Sequence, residues 1–286
     1  MITILSWGGI GDTLRNIGLV PHQALFEKFG IRCRVVRRPQ KADENACPPV
    51  PFFRELIERC PSLLWAGEMD ERKPAGRIVT RAVREIVKFA NHNTPRYFPF
   101  DFRLTEQERN LLPVRSPGFV LGVQTHLSGI HTKEWGIANW QSYLSILLAE
   151  ASDISILLID NEAPVEQLCC DPRIRSTRGL NIAQSIALTA QVDLLVSIDS
   201  WSKYVAAAHR IPQLVVVPSQ KLYHSPEYLA CNSFEGIFNQ PLNTLVGLGG
   251  TLRHPQVTLD RIEDLSPLEL AQQTLNLIRR YRNRPA

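Results

Sequence analysis

Acids, hydroxyls and glycines gather at two points where an apolar run gives way to helix-forming residues. The first is Trp7-Gly-Gly-Ile-Gly-Asp12, directly after Ile2-Thr-Ile-Leu-Ser6. Gly8, Gly9 and Gly11 let the backbone approach a ligand closely. Asp12 puts a carboxylate where the helix begins, a position that also suits a plain N-cap. The second point is Asp199-Ser200-Trp201-Ser202, between the apolar run Val192 to Ile198 and the small run Val205 to Ala208. Ligands of open α/β sheets sit where strands end and helices begin, and the amides of the following helix face them. The plainer reading is that Ser200 or Ser202 caps the helix while Asp199 bonds to the turn. Between the two points, a polar loop from Gln124 to Glu134 carries Thr125, His126, Ser128, Gly129, His131 and Lys133.

Familiar phosphate motifs do not fit. The glycine turn reads GGxGD, which is neither GxGxxG nor a turn ending in GK[ST]. A plain dinucleotide or ATPase site is therefore disfavoured. The six cysteines form no CxxC pair and match no zinc spacing, so they read as reduced thiols.

The elements that would position these groups follow from hydrophobic periodicity. In the first part we expect strands at 2–6 and 31–36, short strands at 63–65 and 77–80, and helices from about Asp12, at 52–60 and at 83–89. Residues 91–102, with prolines and aromatics, read as a loop. Thr105 with Glu108 is a capping box that opens a helix over 104–112. Arg115-Ser-Pro-Gly118 is a break. The pattern then restarts, with strands at 119–123, 154–159, 174–177, 192–198, 211–217 and 257–259. Helices are expected at 140–151, 164–170, 180–191 and 205–208. Residues 223–250 read as loop, and Ser266-Pro-Leu-Glu269 starts a last helix to Tyr281. Strand–helix alternation of this kind makes parallel α/β sheets. Two units result, 1–115 and 116–286, with a cleft between them; the final helix has the option of packing back on the first.

Composition excludes several classes. A chain of 286 residues, 44% hydrophobic and 21% charged, is globular. Its net charge of +4 is small and no dense basic block appears, so nucleic acid is a poor partner. The clusters Arg32 to Arg38 and Arg279 to Arg284 read as solvated surface, with anionic membranes or phosphorylated substrates as the alternative. No apolar run is long enough for a membrane span, and the N-terminus does not read as a signal peptide.

Taken in order, four segments resemble glycosyltransferase family 9, the ADP-heptose:lipopolysaccharide heptosyltransferases. They are Gly8 to Asp12, Lys133-Glu-Trp135 ahead of Trp140, Ile156 to Ile159, and Asp199-Ser200 with Ala206 to Ala208 and Pro212. The resemblance implies a GT-B fold, with two Rossmann-like domains whose parallel sheets face each other across a cleft. The first domain would take the acceptor and the second the nucleotide-sugar. It implies inverting transfer without a metal or other cofactor. Asp12 would be the general base on the acceptor hydroxyl, and Lys133 would meet the diphosphate. Asp199, Ser200, Trp201 and Ser202 would hold the donor, helped by Gly129 and by the hydroxyls of Thr125 and Ser128. The implied partners are a nucleotide-sugar and a lipopolysaccharide or other surface-glycan acceptor. The implied setting is the cytoplasm, with peripheral contact at the inner membrane face; no oligomeric state follows.

The chain departs from the family pattern at several positions. Trp201 stands where the family has glycine, and Tyr204, beside Lys203, where it has histidine. Ala183 stands where it tends to have a ribose-binding acid. These departures raise a second reading, a domain that binds a nucleotide or glycan without turnover. A third is an unrelated α/β enzyme or binding protein with a two-domain cleft, such as a sugar-phosphate epimerase of the GT-B type, with His126, His131 and Asp199 doing acid–base work.

Overall fold

The computed structural model describes residues 2–6, 9–18, 20–37, 50–68, 98–113, 118–126, 135–160, 163–198, 200–216, 243–247, 250–251 and 265–282. The strand and helix expected within 77–89, the strand at 257–259, Cys47 and Cys231 lie outside them.

In the first part, β1 (Thr3–Ser6), β2 (Cys33–Arg37) and β3 (Leu63–Glu68) form a parallel sheet in that order. Two helices separate β1 from β2. α1 (Ile10–Gly18) begins at the glycine turn, and α2 (His22–Phe29) begins after Pro21, where proline cannot continue a helix. α2 ends at Gly30, whose φ of 65° turns the chain so that the Ile31 amide donates back to Leu25 O. α3 (Val50–Glu58) joins β2 to β3. α4 (Glu106–Asn110) carries the expected capping box: Thr105 accepts from the Glu108 amide, and Glu108 accepts from the Thr105 amide.

The second part is built on β4 (Phe119–Gln124), β5 (Ile154–Leu158), β6 (Ile174–Ser176), β7 (Leu194–Ile198), β8 (Gln213–Val216), β9 (Asn243–Gly247) and β10 (Gly250–Thr251). Its sheet order is β10-β9-β8-β7-β4-β5-β6, parallel except for the β10–β9 pair. The chain runs outward from β4 to β6, then returns to the other side of β4 at β7. That reversal opens a crevice beyond the carboxyl ends of β4 and β7. The strand β9 falls in a stretch expected to be loop.

Strand alternation gives the sheet two apolar faces. α5 (Ile137–Glu150) and α8 (Pro267–Arg282) cover one, burying Leu121, Val123, Ile156, Leu158, Val196 and Ile198. There Trp135, Trp140 and Tyr143 meet edge to face, with the Trp135–Trp140 centroids 4.8 Å apart. Both polar handles nearest α8 are used: Trp135 Nε1 donates to Leu265 O, and Tyr143 Oη bonds Thr274 Oγ1. The described residues of α8 thus pack in the second part. Its apolar stripe is consumed by α5 and the sheet.

α6 (Ile182–Thr189) and α7 (Ser202–Ala208) cover the opposite face. Their far sides pack on the first part. Leu14 and Ile17 of α1 share one buried cluster with Ala183, Ile186, Tyr204, Val205 and Ala207. A polar joint flanks this seam at Glu108. Arg59 Nη1 donates to its Oε2 at 2.8 Å, Asn181 Nδ2 to its Oε1 at 2.6 Å, and Gln184 Nε2 to its backbone oxygen at 2.9 Å. The Arg59 guanidinium, with help from these donors, lowers the Glu108 pKa to about 2.

Candidate active site

The glycine turn and the segment before α7 meet. A Cβ added to Gly11 would lie 3.6 Å from Trp201 Cα and 3.7 Å from the Tyr204 ring. That is ordinary contact distance, so the start of α1 lies beside the Trp201 backbone and a side chain at residue 11 would fit without overlap. The turn is fixed from behind, because Ser6 Oγ at the end of β1 bonds Thr13 Oγ1 at 2.7 Å. Asp12 lies in the first turn of α1, since the helix begins earlier than expected, at Ile10. Its carboxylate suits the positive end of the helix dipole. The side chain is 38% exposed and stands 3.4 Å from Arg15 Nη2. Arg15 itself is buried.

Facing α1, every residue of α7 is buried, including Lys203 at 2% exposure. A lysine ammonium is rarely held so deep unless something compensates it. Part of that compensation is the Tyr204 ring, whose centroid lies 4.8 Å from Nζ. Trp201 occupies the position before the helix in αR conformation, and no side chain caps it. The capping role considered for Ser200 or Ser202 is therefore not made.

The β4–β5 edge is organised by Asp160, just beyond β5. Its carboxylate accepts from Thr125 N at 2.8 Å, Thr125 Oγ1 at 2.6 Å and His126 N at 3.3 Å. Burial raises its pKa to about 7, outweighing these donors. Thr177 Oγ1, beyond β6, donates to the Asp160 backbone oxygen. The Thr125 hydroxyl hydrogen, expected to serve a phosphate, is directed at Asp160.

No family model matches the chain, and no curated protein matches it in sequence. Solved structures match it over nearly its full length. E. coli ADP-heptose lipopolysaccharide heptosyltransferase II does so over 98% of this chain and 99% of its own, at 13% identity and TM-score 0.57. The glycosyltransferase family 9 protein of Veillonella parvula covers 98% and 97%, at 9% identity and TM-score 0.60. E. coli heptosyltransferase WaaC, solved with ADP-2-deoxy-2-fluoro heptose, covers 96% and 99%, at 12% identity and TM-score 0.54. The fold is GT-B.

Within this GT-B frame, the structure places Gly11 beside Trp201, which Ser200 and Ser202 flank in the chain, whereas a Cβ on Gly9 would meet nothing within 4 Å. Thr125 lies at the end of β4. Gly8, Ser128, Gly129, His131, Lys133 and Asp199 lie outside the described residues. Ala183 is buried in the seam between the halves, and its neighbour Gln184 is bonded to α4. Arg15 and Asp160 are the charged residues that sequence reasoning did not assign to the site. A basic residue one turn after Asp12 was a usable signal for the first. The second stands at a strand end, where ligand-side residues gather. Among the described residues, no group of His, Cys, Asp and Glu could hold a metal ion. No helix there is long and apolar enough to cross a membrane.

Proposed function

We propose that the protein is an inverting, metal-independent glycosyltransferase. It moves a sugar, heptose or a relative, from a nucleoside-diphosphate donor to a hydroxyl of a lipopolysaccharide or other surface glycan. The observation that carries this reading is the contact of the Gly11–Asp12 turn with Trp201 and Tyr204. Asp12, next to Gly11 in α1, is the first-half carboxylate that this contact favours for work at the crevice of the second half. Similarity to proteins described as ADP-heptose transferases supports the class.

In this reading Asp12 takes the proton of the acceptor hydroxyl as its oxygen attacks the anomeric carbon. The bond from that carbon to the diphosphate oxygen breaks on the opposite side, inverting the centre, and the nucleoside diphosphate leaves. Lys133 and Lys203 offset the charge of the leaving group in place of a metal. Arg15 holds the Asp12 side chain against α1. The acceptor domain comprises 1–115 and the donor domain 116–286. The basic end of α8, with Arg279, Arg280 and Arg282, suits peripheral contact with the anionic inner face of the membrane.

Radiolabelled transfer from ADP-heptose to a lipopolysaccharide acceptor tests the reading. Asp12→Ala should lower kcat by about 100-fold or more while ADP binding is retained. Full activity in that variant would remove Asp12 as base. The second reading, binding without turnover, is favoured by Trp201 at a glycine position. It would be supported if the wild type binds ADP tightly yet neither transfers nor hydrolyses the donor.

A further inference from the structure

The reversal of strand order between β4 and β7 marks where an open sheet binds ligands. Gln124 and Ser197 are paired in register there, on adjacent strands. Register neighbours in a parallel sheet project to the same side. That side is the one covered by α6 and α7, because Val120, four residues before Gln124, and Leu195, two before Ser197, belong to its core. Ser202 opens α7 one turn before Ala206, which is buried in the same core, so its side chain shares that helix face. All three residues are inaccessible, with exposures of 3% for Gln124 and 0% for Ser197 and Ser202. Yet Gln124 Oε1, Ser197 Oγ and Ser202 Oγ make no hydrogen bond, either to one another or to any other group.

Buried polar atoms are nearly always bonded, and each one left unpaired costs about 1–3 kcal/mol. One orphan is a local imperfection. Of the eight such atoms among the described residues, these three come from three separate elements and share one face at the switch point. An amide oxygen only accepts, so it needs a donor, and a fully ionised phosphate has none to give. A sugar hydroxyl both donates and accepts, and so serves the amide and the two serines alike.

We infer that Gln124, Ser197 and Ser202 form a subsite that recognises hydroxyls of a sugar ring, either the ribose or the transferred sugar of the donor. The inference rests on the crevice being a nucleotide-sugar site. It gives these residues a part in specificity, separate from Asp12 and the diphosphate contacts.

Calorimetric titration of the full chain with ADP, ADP-heptose and inorganic pyrophosphate tests it. Ser197→Ala and the near-isosteric Gln124→Met should each weaken binding about tenfold for ligands bearing the recognised hydroxyls. Pyrophosphate should bind both variants as it binds the wild type. Equal losses for ADP and ADP-heptose identify the ribose; a loss confined to ADP-heptose identifies the transferred sugar. Thermal melting controls for folding. Ser197→Ala removes an unpaired buried hydroxyl and should melt no lower than the wild type, which a structural serine would not do. Unchanged affinity for both nucleotides in both variants overturns the subsite and leaves the Asp12 reading untouched. An equal loss for pyrophosphate overturns hydroxyl recognition. A wild type that binds neither nucleotide overturns the nucleotide-sugar reading and this inference with it.

Discussion

The two flanks of β4 carry polar side chains at the same carboxyl edge and treat them in opposite ways. Toward β5, Asp160 receives hydrogen bonds from Thr125 and His126, and Thr177 bonds its backbone. Toward β7, Gln124 and Ser197 are as deeply buried but keep an atom without a partner. Saturated groups hold the edge together; unsatisfied ones cost stability and persist where a ligand can complete them. One flank is scaffold, and the other is where the proposed subsite lies.

Substitution can break this contrast. The largest loss of stability should come from Asp160→Ala, about 3 kcal/mol by urea denaturation, because the Thr125 and His126 donors lose their acceptor in a buried place. Its pH dependence sharpens the test. The folded pKa of Asp160 is raised from 3.8 to about 7. The stability it contributes is therefore complete below its unfolded value and is lost as pH rises through about 7. Asp160→Asn should flatten that decline, and the cost of Asp160→Ala should be larger at pH 5 than at pH 8. Thr125→Val removes a single bond to the carboxylate and should cost about 1.5 kcal/mol in the same assay. Thr177→Val, which loses a long bond of 3.4 Å, should cost about 0.5 kcal/mol. Across β4 the contrast reaches its limit: Gln124→Met should change stability by less than about 0.5 kcal/mol. A large loss there would make both flanks scaffold.

Much of the fold was legible because periodicity and capping are local. The runs at 119–123, 154–159 and 192–198 are apolar enough to be buried on both faces, and they became β4, β5 and β7. Thr105 and Glu108 announced α4 by their spacing. What escaped was non-local. The strand β9 is flanked by loop-like residues and owes its place to pairing with β8. Asp160 reads as an ordinary strand end until Thr125, 35 positions earlier, is brought beside it. The sequence set Asp12 and the 199–202 segment on two halves facing one cleft; the fold adds that Gly11 and Trp201 lie beside each other. Trp201, which stands where the family has glycine, has its Cα and Cβ within 3.7 Å of where a Cβ on Gly11 would lie.

The cluster of Leu14, Ile17, Ile186 and Val205 crosses from one half to the other and excludes water. Pulling the halves straight apart would wet all of these side chains, at a cost that grows with every square ångström uncovered. Rotation about a line through the cluster keeps them dry. A swivel about the seam would therefore uncover less apolar surface than a straight separation of the halves.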